Sequence, residues 1–130
     1  MTRIPMIGYV TLGTNDFSRA AKFYDALFTE IGAGRFMSSD RFIAWASNPT
    51  QASFAIAKPF DGKQATVGNG VMVALVVDSN EKVDNFYAKA IELGAIDEGK
   101  PGPRELPGFY AGYFRDLDGN KLNVFCFNQV

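Results

Sequence analysis

The sequence predicts an α+β fold made of two tandem β-α-β-β-β modules. A segment near the N-terminus recurs about half a chain later, and each copy combines a strand-like segment, a helix-like segment and further short strands. The chain has 130 residues, of which 47% are hydrophobic, and this is enough for one packed domain. We therefore treat residues 1–130 as a single domain of two related modules.

The repeat has an offset of 63 residues, which is the separation between Tyr9 and Met72. Three pairs of segments carry it, the third after a one-residue deletion: Tyr9–Leu12 with Met72–Leu75, Phe23–Tyr24 with Phe86–Tyr87, and Glu30–Ala33 with Glu92–Ala95. A period near half the chain length indicates a duplicated unit. The predicted bounds are about 6–58 for module one, 59–69 for a Gly-containing linker and 70–128 for module two.

Each module begins with an apolar segment that predicts a strand, Ile7–Leu12 in the first and Val71–Val77 in the second. Short polar residues follow, Asn15-Asp16 and Asp78-Ser79, and they predict helix N-caps. Apolar residues then recur at spacings of three and four, which indicates a helix with one buried face. These residues are Phe17, Ala20, Ala21, Tyr24, Leu27, Phe28 and Ile31 in module one, and Val83, Phe86, Tyr87, Ala90 and Leu93 in module two.

The sequence also predicts where each helix ends and which strands follow it. Gly32 and Gly94 lie where a helix C-cap favours positive φ. Six short strands are predicted, three in each module: Arg35–Met37, Phe42–Ala46, Ser53–Ala57, Ala95–Asp97, Phe109–Arg115 and Leu122–Phe127. Asp116–Asn120 contains Asp-Gly, which predicts a hairpin turn in which the aspartates bond backbone rather than act as acids. Gly99–Gly108 is rich in Pro and Gly and predicts either a binding loop or a plain surface crossing.

The composition excludes several kinds of chemistry. The chain has no histidine, which rules out Ser-His-Asp and Cys-His catalysis and every His-containing metal site within this chain. A net charge of −1 predicts neither a nucleic-acid nor a membrane partner. Cys126 has no cysteine to pair with and lies in an apolar strand, so it is expected to be a buried thiol in a cytoplasmic protein.

Two stretches resemble a known family. The helix segment Phe17–Tyr24 and the terminal segment Tyr113–Leu122, with its Arg-Asp-x-Asp-Gly-Asn core, are similar to the vicinal oxygen chelate superfamily. This group contains the glyoxalases, the bleomycin resistance proteins and the extradiol dioxygenases. The resemblance covers nearly the whole chain. It implies an open, cup-shaped mixed sheet with the helices outside, and often a homodimer.

In that superfamily, metal ligands come from the first and last strands of each module. The resemblance aligns these positions with Tyr9, Met72, Asn123 and either Phe54 or Ala55. Thioether sulfur is a soft ligand, and a neutral amide is a weak one for hard divalent ions. The sequence therefore predicts a member of the fold that has no catalytic metal and no other cofactor.

The cup is predicted to bind a small, partly aromatic or apolar organic molecule, because concave sites combine apolar walls with a few polar anchors. The predicted ligand-binding residues are Tyr9, Trp45, Phe54, Met72, Arg104, Tyr110 and Asn123. Their alternative role is packed core. No catalytic residue is predicted.

The roles of Arg104 and Tyr110 each have an alternative. Arg104, with Arg35 and Arg41, either clamps a ligand carboxylate or is a solvated surface cation. Tyr110 and Tyr113 lie on opposite faces of one strand, so at most one faces the cup. Gly112 between them indicates a bulge or the close approach of another group.

The resemblance leaves three functions open. The first is a small-molecule-binding protein of the glyoxalase and bleomycin resistance type. The second is a lyase or isomerase of the glyoxalase I (lactoylglutathione lyase) type, which would need a metal or proton transfer through Tyr9. The third is a dimeric regulatory or interaction protein that is not an enzyme. A dioxygenase is disfavoured because the chain has no histidine.

Overall fold

A computed structural model describes residues 4–128 of the chain. It contains two helices, α1 (Phe17–Phe28) and α2 (Asn80–Glu92), and a short 3-10 turn at Thr29–Ile31. The strands, in chain order, are β1 (Tyr9–Gly13), β2 (Gly34–Ser38), β3 (Phe42–Ala46), β4 (Ser53–Ala57), β5 (Val73–Val76), β6 (Ile96–Pro103), β7 (Phe109–Arg115) and β8 (Lys121–Phe127). Within residues 4–128, no helix has the length and apolar character needed to cross a membrane.

The strands form two four-stranded sheets with the same topology. The order is β1-β4-β3-β2 in the first sheet and β5-β8-β7-β6 in the second. In each sheet the first and last strands of the module pair in parallel, and the other neighbours are antiparallel. The chain divides into two units after Thr66, inside the segment expected to be the linker. The sequence repeat therefore corresponds to a repeat of structure, and the predicted α+β fold with open mixed sheets is confirmed.

Both helices begin at the predicted caps. Asp16 accepts a hydrogen bond from the Arg19 backbone N–H at 3.1 Å, and Ser79 accepts one from the Lys82 backbone N–H at 3.1 Å. Each bond satisfies one of the N–H groups that a first helical turn leaves without an internal partner. Gly32, with φ of 70°, lies directly after the 3-10 turn that extends α1.

One helix packs against one face of each sheet. In the first unit, α1 buries the rings of Tyr24 and Phe28 against Trp45 and Phe54. In the second unit, α2 buries Val83 and Phe86 against strand residues on the facing side: Phe114, Leu122, Val124 and Cys126. Alternation along each strand sends every second side chain to the opposite face, which we call the helix-free face.

The predicted loop Gly99–Gly108 is corrected in its first half. β6 continues through Gly99 to Pro103, and only the segment between Pro103 and Phe109 lies outside the strands. This strand tolerates proline because it is at the sheet edge, where only one side needs hydrogen-bond donors. Its register with β7 shifts at Gly99 and again before Gly102, so the sequence pattern lacks the regular alternation by which a strand is recognised.

Gly112 marks a close approach. A Cβ atom at this position would lie 3.1 Å from Cγ of Pro101 and 3.2 Å from Cδ2 of Tyr87. The register of β7 with β8 passes through Gly112 without a shift. Of the two predicted reasons for a glycine here, the structure therefore shows the second, because the α2 tyrosine and the β6 proline both crowd the point where a side chain would begin.

Replacing Gly112 by alanine should lower the free energy of unfolding by about 1–3 kcal/mol, because the new methyl group forces packed atoms apart. Gly34→Ala is the matched control, since a Cβ atom there meets no atom within 4 Å. Urea unfolding of both variants measures the difference. Equal stability of the two variants would contradict the account of Gly112.

Candidate functional site

The helix-free face of the second sheet changes in character along its strands. Cross-strand partners share a face, and three pairs between β7 and β8 lie on this one: Phe109 with Phe127, Tyr113 with Asn123, and Arg115 with Lys121. Phe125, opposite Ala111, stacks on Phe109 with ring centroids 5.3 Å apart. One end of the face is therefore aromatic, the middle is polar, and the other end is cationic.

Asn123 lies at the middle of this face. Its side chain is 2% exposed, and within the described chain its Oδ1 atom has no hydrogen-bond partner. Leu122 and Val124, its neighbours along β8, face the helix core. A buried acceptor without a partner costs about 1–3 kcal/mol, so each such atom in a folded protein needs an explanation.

Two cationic side chains lie against the ring of Tyr113, which is the cross-strand neighbour of Asn123. The guanidinium carbon of Arg104 lies 5.2 Å from the ring centroid, and Nζ of Lys121 lies 5.7 Å from it. Arg104 also donates from Nη2 to the Lys100 carbonyl at 2.6 Å, while its Nε is buried without a partner in residues 4–128. The fork lies close to Gly99 of β6, where a Cβ atom would be in ordinary van der Waals contact with Nη2, at 3.5 Å. Of the two roles foreseen for Arg104, a solvated surface cation does not describe this position.

The helix-free face of the first sheet is built differently. Its positions are mostly small, since Ala55 pairs with Thr11 and Ala44, and Ala57 pairs with Gly13. Tyr9 is 61% exposed and meets Phe42 edge to face at 5.9 Å. Tyr9 also lines a mostly apolar cleft of about 450 Å³, together with Gly8, Phe36, Met37, Ala46, Ser47, Asn48, Pro49, Gln51 and Ser53.

Three predicted ligand-binding residues instead lie on the helix side. Trp45 is 2% exposed and donates from Nε1 to the Asp25 carboxylate of α1 at 2.9 Å, and Phe54 packs on Tyr24 with centroids 4.7 Å apart. Tyr110 donates its hydroxyl to Asp84 of α2 at 2.7 Å. The prediction that these three residues bind a ligand is therefore corrected: they pack in the core or bond to a helix. Side chains alternate along a strand, so each residue that faces the helix is turned away from the helix-free face.

The sequence left open which side chains share the helix-free face with Asn123. Tyr113 takes the face that Tyr110 does not, and Lys121 and Arg115 join it there; none of the three was among the predicted site residues. Their alternation with Asn123 along a hairpin was the signal that would have found them. Arg35, by contrast, forms an ion pair with Asp25 at 2.6 Å, which lowers the pKa of that carboxyl.

Cys126 is a buried thiol, as predicted. It is 1% exposed on the helix side and its Sγ–H donates to Asn80 Oδ1 at 2.9 Å. Burial raises the pKa of the Cys126 thiol, which keeps it protonated at neutral pH. It is therefore not a nucleophile under ordinary conditions.

The register also decides the fourth position that the resemblance aligned with a metal ligand. Val10 pairs with Phe54, and Val73, its repeat equivalent, pairs with Leu122. The residue equivalent to Asn123 is therefore the one after Phe54, which is Ala55. Phe54 itself belongs to the helix side.

The four aligned positions do not fit a divalent metal ion. They supply a phenol, a methyl group, a thioether and a neutral amide from Tyr9, Ala55, Met72 and Asn123. In residues 4–128, no three or more His, Cys, Asp or Glu side chains lie close enough together to hold a metal ion. Zinc, iron and nickel sites in proteins take imidazole, thiolate or carboxylate ligands, none of which these positions offer.

The fold and these faces together define a class: a two-unit α+β protein in which each sheet has one helix-covered and one helix-free face. The model of the Glyoxalase/Bleomycin resistance protein/Dioxygenase superfamily matches residues 6–124. The chain belongs to that superfamily. No curated protein matches the chain significantly.

Solved structures agree with the assignment. A glyoxalase/bleomycin resistance protein from Albidiferax ferrireducens T118 is 34% identical, with a TM-score of 0.85 over 94% of this chain and 98% of that one. The hypothetical protein SA1046 from S. aureus is 26% identical, with a TM-score of 0.72 over 95% and 94%. The fosfomycin resistance protein FosX from Mesorhizobium loti is 19% identical, with a TM-score of 0.69 over 97% and 95%, and it shares the fold.

The unsatisfied oxygen of Asn123 has a consequence for stability. Asn123→Leu should raise the free energy of unfolding by about 1 kcal/mol, because it removes a buried acceptor that has no partner. Asn120→Leu should lower it by about 1–3 kcal/mol, because Asn120 is also buried and the change removes the hydrogen bond that its Nδ2 donates to Asp116. Thermal unfolding of the two variants separates these outcomes. A loss of stability in both would show that Asn123 is a structural residue.

Proposed function

We propose that the protein binds a small organic molecule with an aromatic or apolar body on the helix-free face around Asn123, and that it does so without a metal of its own. The buried and unpartnered Oδ1 of Asn123 is the observation that carries the proposal. A ligand that donates a hydrogen bond from a hydroxyl or amide group completes it. The Nε–H group of Arg104, which has no partner within the described residues, donates a second hydrogen bond to the ligand.

The layout of the face sets the size of the molecule. Phe125 and Lys121 are each two residues from Asn123 along β8, or about 7 Å away on either side. A ring lying on Phe125 and Phe109 therefore places its polar substituents near Asn123 and Tyr113. Because Oδ1 is closed off from solvent, the ligand enters when a flanking side chain turns aside, and Lys121 has the most rotatable bonds for this.

The absence of imidazole and carboxylate at the aligned ligand positions supports binding over metal-dependent lyase chemistry. Tyr9 is the one residue of the set able to donate or accept a proton. Its phenol is 61% exposed beside an apolar cleft, so it suits a hydrogen bond to a ligand of that cleft.

Thermal-shift measurements with benzyl alcohol, benzamide and octanol, each of which can donate a hydrogen bond, test the binding proposal, and benzoate, which can only accept, is the comparison. A probe present at about 100 times its dissociation constant stabilises the folded state by about 2.7 kcal/mol, which raises Tm by several degrees. We expect benzyl alcohol and benzamide to raise Tm, and we expect this shift to disappear in Asn123→Leu. Asn85→Leu, at an exposed position of α2, is the matched control and should keep the shift.

Two outcomes would contradict the proposal. The first is no stabilisation by any probe class, or an equal shift in Asn123→Leu. The second is stoichiometric nickel, zinc or iron in the purified protein together with turnover of the methylglyoxal–glutathione hemithioacetal. That second result would identify a lyase of the glyoxalase I type.

We also propose that the protein acts in the cytoplasm as a homodimer. The lone cysteine fits a reducing compartment. Large apolar side chains are exposed in both units and offer surface to a second copy, among them Ile7, Phe36, Met37, Val76, Ile96 and Phe127. Light scattering after gel filtration should give twice the chain mass of 14.2 kDa, and Val76→Lys should shift the mass toward that of the single chain. A single-chain mass for the unaltered protein would contradict the dimer.

A further inference from the structure

A second, polar pocket lies wholly within the second unit. It has a volume of about 490 Å³ and is lined by Arg115, Lys121, Met72 and the segment Val67–Val71. Arg115 and Lys121 are direct cross-strand partners on the helix-free face. Two cationic side chains and no carboxylate therefore face this cavity, next to the polar backbone of the segment Val67–Val71.

The Val67–Val71 wall has a fixed shape. Gly68 leaves no space for a side chain, because a Cβ there would be 2.6 Å from Cγ2 of Val71. Gly70 has φ of 94°, in the left-handed region that favours glycine. Val67 lies against the β7–β8 turn, since a Cβ at Gly119 would be 3.7 Å from its Cγ1. The two glycines thus set the backbone shape of the wall, and Val67 places one end of it near the turn of the hairpin.

Arg115 is held in position at the mouth of the pocket. Its Nε donates to Glu98 at 2.9 Å, and its Nη1 donates to the Gly119 carbonyl at 3.0 Å. The Nη2 group of the fork is not used by either bond. Asp116, the nearest carboxylate along the chain, is occupied by the turn, where it accepts from the backbone N–H groups of Asp118 and Asn120.

Lys121 is the second charge of the pocket. Its Nζ lies 5.7 Å from the Tyr113 ring centroid, and it forms no ion pair within the described residues. The backbone N–H groups of Gly68, Asn69 and Gly70 also make no hydrogen bond inside residues 4–128. The cavity is thus lined by the Nη2 group of Arg115, the ammonium group of Lys121 and the backbone N–H groups of the wall. All of these are hydrogen-bond donors that can bind an acceptor.

We propose that this pocket binds a small oxyanion of the phosphate type, either free or as the head of a phosphate monoester. A tetrahedral oxyanion offers several acceptor oxygens at once, which suits donors arriving from a hairpin on one side and a glycine-rich wall on the other. The site shares only Lys121 with the aromatic ligand proposal, in which Lys121 moves aside to admit the ligand. Asn123, which carries that proposal, does not line this pocket, so Asn123→Leu distinguishes the failure of one proposal from the failure of the other.

Amide NMR spectra recorded during titration with inorganic phosphate, at constant ionic strength, test the site. The signals of Gly68, Asn69 and Gly70 should shift in a saturable manner. Lys121→Gln should weaken phosphate binding by about tenfold, because it removes one charge-assisted donor. Glu98→Gln should tighten it by about threefold, because Gln still accepts from Arg115 Nε but no longer offsets its charge.

Lys22→Gln, an exposed lysine on α1 in the other unit, is the matched control and should leave the affinity unchanged. A parallel titration with phenyl phosphate identifies the source: tighter binding of the ester indicates the head of a larger molecule, and tighter binding of inorganic phosphate indicates the free anion. Linear, non-saturating shifts, or equal affinity in Lys121→Gln and Lys22→Gln, would overturn the proposal. Folding of every variant is read from the same spectra.

Discussion

The packing of one helix against one face of each four-stranded sheet is the constraint on which the rest depends. A strand alternates its side chains, so the choice of the helix-covered face decides the fate of every strand residue at once. Trp45 and Phe54 are core residues because α1 lies above them, and Leu122 and Val124 are core residues because of α2. What remains on the helix-free faces is available for binding.

The two units have the same topology but have diverged in what their helix-free faces present. Asn123 in the second sheet corresponds to Ala55 in the first, where a methyl group replaces the amide. The first face is made of small residues with an exposed tyrosine, and the second runs from stacked phenylalanines to paired cations. Duplication supplied two equivalent surfaces, and substitution on one face of each has made them chemically distinct without disturbing the helix side.

The second face also carries buried polar groups at some cost to stability. The buried amide oxygen of Asn123 and the Nε of Arg104 lack partners among the described residues, whereas the buried Asn120 is fully engaged in the hairpin turn. Unpaired polar groups destabilise a fold, and a chain optimised for stability alone would replace them. Their position on the helix-free face is consistent with a partner that arrives from outside the chain.

The sequence by itself determined the local structure. Helix caps, helix periodicity and the hairpin turn depend on residues close together in the chain. For this reason Asp16 and Ser79 were correctly predicted as N-caps and Gly32 as a C-cap. The buried state of Cys126 followed from its apolar strand. Asn123 became a candidate through the family resemblance alone, which aligns it with a metal-ligand position.

The tertiary structure decided which face each strand residue occupies and how far the irregular strand extends. Alternation separates Tyr110 from Tyr113, but only the position of α2, whose Asp84 accepts from the Tyr110 hydroxyl, tells which of them lies on the helix-free face. β6 was hidden because Pro101 and Gly102 are ordinary loop residues, and they are accommodated in a strand only because the sheet ends there. Both features depend on neighbours distant in the chain, and no local pattern contains that information.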